Sequence, residues 1–178
     1  ADGARGVAEI GSPEQARALA FVNPDLERLM AEFARGYLDR KSSVTGVRHA
    51  DNPGLLGVLV VNESDLGGHF GPFMYPGSGR PVHEALFADR VEDARKRLGL
   101  GRLRANETWA PGPGKLVLAT IEAEFYARAL AGLRRLGLRG LVAVGNHWGG
   151  SPFYQLPPLA VGDLVDVHSY GRSEFRSA

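Results

Sequence analysis

Glu63 is the residue whose place in the sequence points most directly to chemistry. It follows Asn62 at the end of the apolar run Leu55–Val61. A carboxyl group at the mouth of a buried strand is partly shielded from water, which raises its pKa and lets it hold a proton near neutral pH, as a general acid must. Asn62 can donate and accept hydrogen bonds, which suits a sugar hydroxyl. The structural alternative is that Glu63 caps the next helix or pairs with an arginine.

Two further apolar runs also end in side chains that suit a sugar site. His147 and Trp148 follow the second run, and His168 and Tyr170 follow the third. Sugar rings stack on the flat face of an indole, while imidazole and phenol groups can orient a carboxylate or a hydroxyl. The alternative for each of these four residues is an ordinary place in the core.

A metal site is a weaker interpretation of the same residues. Glu63, His147 and His168 all lie at strand ends, but the short ligand spacing of zinc sites and an HExxH pattern are missing. The sequence also contains no Walker loop, no GxGxxG after a strand and no GxSxG elbow. It therefore predicts neither a metal nor a cofactor.

Other acidic residues share the type of the candidate acid but not its position. The pair Asn106–Glu107 follows GRLRA, which is not a buried strand, so we expect a loop or a helix start there. Glu174 lies in a polar tail and is expected to be solvated. Asp163 and Asp166 lie at the start and in the interior of the third run, where we expect structural hydrogen bonds to neighbouring loops.

The apolar runs alternate with helical patterns, which is typical of a parallel α/β sheet with right-handed crossovers. The predicted strands are Leu55–Val61 and Leu138–Val144, both interpreted as buried strands, the first on both faces, and Leu164–Val167. The predicted helices are 12–19, 24–39, 82–98, 116–136 and at most a short one within 156–161. Active sites of such folds lie at the carboxyl ends of the strands, so the polar residues after each run are expected on one rim.

Composition excludes several classes of protein. The 178 residues are 44% hydrophobic and 23% charged, which rules out a disordered tail or collagen. The net charge of +1 gives no electrostatic reason to expect a nucleic acid, a membrane or an acidic partner. No apolar run reaches the roughly 18 residues of a membrane span. The absence of cysteine excludes disulfides, and the cellular compartment cannot be read from the sequence.

The stretch around Glu63 resembles the clan A glycoside hydrolases, in particular the cellulase- and mannanase-like (β/α)8 barrels. In that family an apolar fourth strand ends in Asn-Glu, as LGVLVVNE does here, and VTGVRHADNPG looks like the approach to that strand. LVAVGNHWGG resembles the family's fifth strand and LVDVHSYG its sixth, in the same order. The resemblance covers most of the chain, from about Phe21 to Tyr170.

The resemblance implies that Glu63 is the general acid/base of a retaining β-glycosidase or glycanase, with Asn62 bound to the substrate 2-hydroxyl. His168 and Tyr170 would line the sugar subsite, and one of them would touch the nucleophile. His147 and Trp148 match the family by position only. The implied substrate is an oligo- or polysaccharide of unspecified type, with no cofactor and no metal.

The chain departs from the family pattern in one major respect. The family's nucleophile is a second glutamate at the end of the seventh strand, and this sequence reaches only the sixth. A full barrel takes about 250 residues. We therefore expect residues 1–178 to form a single partial TIM-barrel domain, about strands four to six of eight, truncated at both ends. Such a segment would be inactive alone, and its unpaired edges would meet the remaining barrel strands or a second copy.

Two other functions stay open at this point. A non-catalytic carbohydrate-binding or structural barrel segment would hold sugar through Trp148, Tyr170 and the loop Gly67–Pro81 without chemistry. An α/β enzyme of another class would use Glu63 and His168 as a proton-transfer pair, in which case the two groups would lie within about 3 Å or one water of each other.

Overall fold

The described part of the chain forms five α-helices and three β-strands, in the order that the sequence predicts. The computed structural model describes residues 3–70, 77–104, 107–108, 111–148 and 152–168. The helices are α1 (Pro13–Ala20), α2 (Pro24–Leu38), α3 (Pro81–Arg97), α4 (Pro113–Arg135) and α5 (Pro152–Leu159), and the strands are β1 (Gly57–Leu59), β2 (Leu141–His147) and β3 (Leu164–Val167). Single turns of 3-10 helix at Val7–Glu9 and His49–Asp51 and a π turn at Leu66–Phe70 complete the elements.

The first two helices begin where polar caps satisfy their free amides. The Ser12 hydroxyl accepts the Gln15 N–H ahead of α1. The Asn23 side-chain oxygen accepts the N–H groups of Asp25 and Leu26 ahead of α2. In both helices a proline occupies the first turn, where its missing N–H is harmless. The predictions of helices at 12–19 and 24–39 are confirmed to within a residue.

A distant carboxylate caps α3. Glu9 accepts the N–H groups of Val82 and His83 at 2.9 and 3.2 Å, and its Oε2 lies 2.6 Å from the His83 ring. The other ring nitrogen of His83 lies 3.0 Å from the amide of Asn23. His83 is completely buried. The segment before α1 is therefore tied to α3 through one carboxylate and one imidazole.

The three strands form one parallel sheet in the order β1-β2-β3. Gly57 pairs with Leu141 and Leu59 with Ala143, while Ala143 pairs with Leu164 on the other side. An irregularity between Ala143 and Asn146 shifts the register of β2 against β3. The predicted parallel α/β sheet is confirmed, and the carboxyl ends of all three strands lie at the same edge.

The prediction that β1 is buried on both faces is wrong. Gly57 and Leu59 are exposed, and Val58 is only half-buried. The reason is that α4 and α5 pack on β2 from one side, where Val142 and Val144 are completely buried. The opposite face is open, and its exposed apolar residues are Leu59, Leu141 and Leu164. An apolar run indicates that a strand is stabilised by burial, but it does not show whether other elements of the fold pack on both of its faces.

Strand and helix ends also differ from the predictions. β1 is shorter than the predicted Leu55–Val61, and β2 begins and ends three residues later than predicted, so it includes Asn146 and His147. The short helix predicted within 156–161 begins earlier, at Pro152, and contains Pro157 and Pro158.

The core centres on α4, where Phe125 and Tyr126 pack edge-on against Phe21 with ring centroids 4.9 and 5.8 Å apart. Among the described helices, none combines the length and hydropathy that crossing a bilayer requires.

Candidate active site at the carboxyl ends of the strands

The Glu63 carboxylate and the His168 imidazole meet at the carboxyl edge of the sheet. Oε1 of Glu63 lies 2.9 Å from Nδ1 of His168. The two residues are 105 positions apart in the chain, and their side chains are 27% and 23% exposed. The turn after β1 carries Glu63, and His168 follows β3 directly. The contact can therefore hold a proton between two groups that still reach solvent.

Asn146 holds this pair in place from β2, the strand between them. Its side-chain oxygen accepts the Glu63 N–H at 2.7 Å, and this contact fixes the orientation of the amide. Its Nδ2 then lies 3.0 Å from Oδ1 of Asn62 and 3.0 Å from Nε2 of His168. Asn146 is buried, so these hydrogen bonds are formed in a region of low dielectric constant. One amide thus links the ends of all three strands.

The backbone at Glu63 is held in an uncommon conformation. Its φ of +46° lies in the left-handed region, which costs a residue with a side chain of order 1–2 kcal/mol. The residue before Glu63 is bonded as well, since Arg17 donates to the Asn62 carbonyl oxygen at 2.8 Å. Strained residues persist where the surroundings over-determine them, and they concentrate at functional sites.

His168 lies between two carboxylates. The hydrogen bond to Glu63 raises the pKa of the imidazole above its ordinary value, and the nearby charge of Asp166 acts in the same direction against partial desolvation. Oδ2 of Asp166 lies 3.3 Å from Nε2. Asp166, which the sequence analysis assigned to structural hydrogen bonds with loops, therefore faces the site. The imidazole separates it from Glu63.

The other predicted site residues lie around this network in different ways. Asn62 belongs to the network through its bond to Asn146. His147 follows Asn146 on β2, so the pleat directs its side chain to the opposite face of the strand. Trp148 comes after the end of β2 and is half-buried. Tyr170 lies outside the described residues, as does Glu174.

The alternative sites of the sequence analysis find less support. Within the parts of the chain that the structure describes, no group of three or more histidine or acidic side chains is arranged to hold a metal ion. Glu107 lies in a short turn, where it accepts the N–H of Arg104 at 2.9 Å, away from any strand end. Asp163 binds the Val142 N–H at 2.8 Å and Arg134, as expected for a structural residue.

Sequence reasoning missed Asn146, the residue with the most contacts to the pair. The signal that could have found it is its place two residues beyond the apolar run Leu138–Val144, where a polar side chain that the strand still buries needs partners. The arrangement as a whole can pass a proton between Glu63 and His168 and can bind a hydroxyl group through the exposed amide of Asn62. No family model, curated protein or solved structure matches this chain in comparisons with known proteins.

Proposed function

We propose that this chain carries the acid/base half of a retaining glycosidase site that cleaves β-linked oligo- or polysaccharides. The single observation that carries the proposal is the 2.9 Å contact between Glu63 Oε1 and His168 Nδ1 at the carboxyl edge of a parallel sheet. The Glu63 carboxyl group is partly shielded and still open to solvent, and the His168 imidazole beside it can pass it a proton, so Glu63 can take part in proton transfer as an acid/base. The amide of Asn62 beside it suits a sugar hydroxyl.

Glu63 works twice in this mechanism. In the first half, it gives its proton to the glycosidic oxygen as the C–O bond breaks and a second carboxylate bonds to the anomeric carbon. In the second half, Glu63 takes a proton from the water that displaces that carboxylate. His168 orients Oε1 throughout, and the proton taken from water restores the acid form of Glu63 for the next turnover.

The second carboxylate must come from outside the described residues. Retaining hydrolysis needs two carboxyl groups about 5–5.5 Å apart with the sugar between them. Asp166 does not qualify, because the His168 ring fills the space between it and Glu63. We assign the three strands to about the fourth to sixth of an eight-stranded barrel whose other strands supply the nucleophile. The open face with Leu59 and Leu141 fits the inner face of such a barrel.

Release of reducing sugar from unactivated β-linked oligosaccharides tests the proposal. The assay uses the natural polypeptide that contains this chain. Glu63→Gln is expected to lower kcat by about 10²- to 10⁴-fold, because the bond must then break without proton donation. Glu107→Gln, from the other Asn-Glu pair of the sequence, is the matched control and should leave turnover unchanged. Full activity of Glu63→Gln would contradict the proposal.

The same contact also favours a proton-transfer enzyme of another class, because the distance between Glu63 and His168 is within the 3 Å that such a pair needs. Titration with oligosaccharides separates the candidates. The glycosidase binds and cleaves them, and a non-catalytic carbohydrate-binding segment binds them without releasing sugar. An enzyme of another class does neither, although Glu63→Gln still removes its activity on its own substrate.

A further inference from the structure

A second polar cluster lies in the core beneath the turn that carries Glu63. Glu122 and Tyr126 stand one turn apart on α4 and are almost completely buried. Oε2 of Glu122 accepts the Leu66 N–H at 3.1 Å. Oη of Tyr126 lies 3.2 Å from the Ser64 carbonyl oxygen and 3.1 Å from Oε1 of Glu122. None of these atoms takes part in the contact between Glu63 and His168.

The number of protons decides how this cluster is bonded. A tyrosine hydroxyl has one hydrogen, so Tyr126 can donate to the Ser64 carbonyl or to Glu122, but not fully to both. Both short contacts are satisfied when Oε1 of Glu122 is protonated and donates to Tyr126, which then donates to Ser64. When Glu122 is ionised, the Tyr126 hydrogen is drawn to the carboxylate and the Ser64 carbonyl loses its donor.

The surroundings favour the protonated form. Burial raises the pKa of Glu122 to about 8, and the negative charge of Asp65 on the turn above adds to this effect. Burial also raises the pKa of the Tyr126 phenol, so it stays a donor. Two cations near the turn donate to backbone carbonyls, Lys115 to Gly67 and Arg17 to Asn62.

The position of Tyr126 also depends on the strand that carries Asn146. Gly145 precedes Asn146, and a Cβ at Gly145 would come within 2.6 Å of Oη of Tyr126. The phenol therefore fits beneath β2 only because residue 145 has no side chain. It bonds to the turn after β1 and touches β2, the two elements that place Glu63 and its amide partner.

We propose that Glu122 and Tyr126 are positioning residues for Glu63, which they hold through the backbone of Ser64 and Leu66. Arg17 fixes the carbonyl before Glu63, Asn146 fixes its N–H, and Tyr126 fixes the carbonyl after it. Without the third contact, the left-handed backbone of Glu63 can relax to an ordinary conformation, which moves its carboxylate away from His168. That this positioning serves catalysis rests on the proposed function. That Glu122 and Tyr126 hold Glu63 in place does not depend on it.

The His168 titration followed by NMR in this 178-residue chain tests the proposal without any activity assay. Glu63→Gln sets the reference, because it lowers the pKa of His168 by removing its partner carboxylate. Tyr126→Phe is expected to reproduce most of that fall, although Glu63 itself is intact. Tyr37→Phe, the same change at an exposed site on α2, is the matched control and should leave the titration unchanged. A folded Tyr126→Phe protein with the wild-type titration would overturn the proposal.

A second measurement decides the matter even where Tyr126→Phe does not fold. In the wild type, the Ser64 carbonyl and Glu63 amide shifts should show an inflection near pH 8, as Glu122 ionises and Tyr126 turns away from Ser64. Glu122→Gln keeps an acceptor for Leu66 and a donor for Tyr126, so it should abolish this inflection and retain the contact between Glu63 and His168. A Glu122→Gln variant that keeps the Ser64 inflection, or that loses the contact between Glu63 and His168, would overturn the proposal. Absence of glycosidase activity would refute the proposed function but would not change what the His168 titration and the Ser64 and Glu63 shifts say about positioning.

Discussion

Nδ2 of Asn146 and Nε2 of His168 lie 3.0 Å apart. Because of this contact, the hydrogen-bond partner of Nε2 depends on whether the imidazole is protonated. The amide of Asn146 is oriented by the Glu63 N–H, so Nδ2 is a donor and Nε2 must accept when the ring is neutral. When the ring is charged, Nε2 carries a hydrogen, and among the described residues Asp166 offers an acceptor at 3.3 Å. The neutral and charged forms of His168 therefore use different neighbours.

The first prediction concerns the pH dependence of His168. Its pKa is raised chiefly by the hydrogen bond to Glu63 and less by the charge of Asp166, so Glu63→Gln should lower it more than Asp166→Asn. Because the folded-state pKa is above the ordinary 6.5, the stabilisation is fully present below pH 6.5 and is lost as pH rises through the folded-state value. NMR titration of the ring and unfolding at several pH values measure both effects. The opposite ranking of the two variants would contradict this assignment.

The second prediction concerns backbone strain at Glu63. Glycine adopts the left-handed region freely, so Glu63→Gly should be more stable than Glu63→Ala by about 1 kcal/mol. Both variants lack the carboxylate, so their difference isolates the backbone. At Glu32, on the exposed side of α2, the order should be reversed, with glycine less stable than alanine by about 1 kcal/mol. Urea unfolding of the four variants measures these differences, and an Ala variant at position 63 as stable as the Gly variant would rule out the strain.

The third prediction concerns the buried acid on α4. With a pKa of about 8 in the fold against 4.5 as an ordinary carboxyl group, Glu122 holds its proton longer in the folded than in the unfolded chain. Its contribution to stability therefore falls as pH rises from about 4.5 to about 8. Relative to the wild type, Glu122→Gln should gain stability over this range. Glu124→Gln, on the same helix and paired with Arg97, is the control and should show no such trend.

The fourth prediction concerns the carboxylate that caps α3. Burial alone would raise the pKa of Glu9, but hydrogen bonds from Val82 and His83 hold that pKa below its ordinary 4.5. Its stabilisation is present above pH 4.5 and is lost as the pH falls through the lower folded-state value. Glu9→Ala should cost about 2 kcal/mol at neutral pH, since it leaves buried donors without their charged acceptor. Glu32→Ala should change stability by under about 0.5 kcal/mol, and equal losses in the two variants would contradict the capping role.

Local signals made much of the fold predictable. The Asn23 cap and the spacing of apolar residues after it predicted α2 to within a residue. The alternation of apolar runs and helices predicted a parallel sheet, whose geometry brings the carboxyl ends of its strands together. That geometry is the reason why Glu63 and His168, predicted on one rim, are found in contact.

The features that the sequence did not predict depend on packing between distant segments. The central role of Asn146 depends on the exact end of β2, which the apolar run Leu138–Val144 placed three residues too early. The open face of β1 depends on cover from other elements, which no property of Leu55–Val61 encodes. Glu122 sits in a helical pattern with charged neighbours, where exposure to solvent is the ordinary expectation and only the fold reveals its burial.

The leaving-group dependence of hydrolysis tests the role of Glu63 most directly. It is measured in the natural polypeptide that contains this chain, as the rate of glycosidic bond cleavage in wild type and Glu63→Gln on an unactivated oligosaccharide and on an aryl glycoside with an acidic phenol. The phenolate leaves without protonation, so loss of a general acid should slow the oligosaccharide by about 10²- to 10⁴-fold and the aryl glycoside far less. An equal loss on both substrates, or no loss on either, would contradict the account.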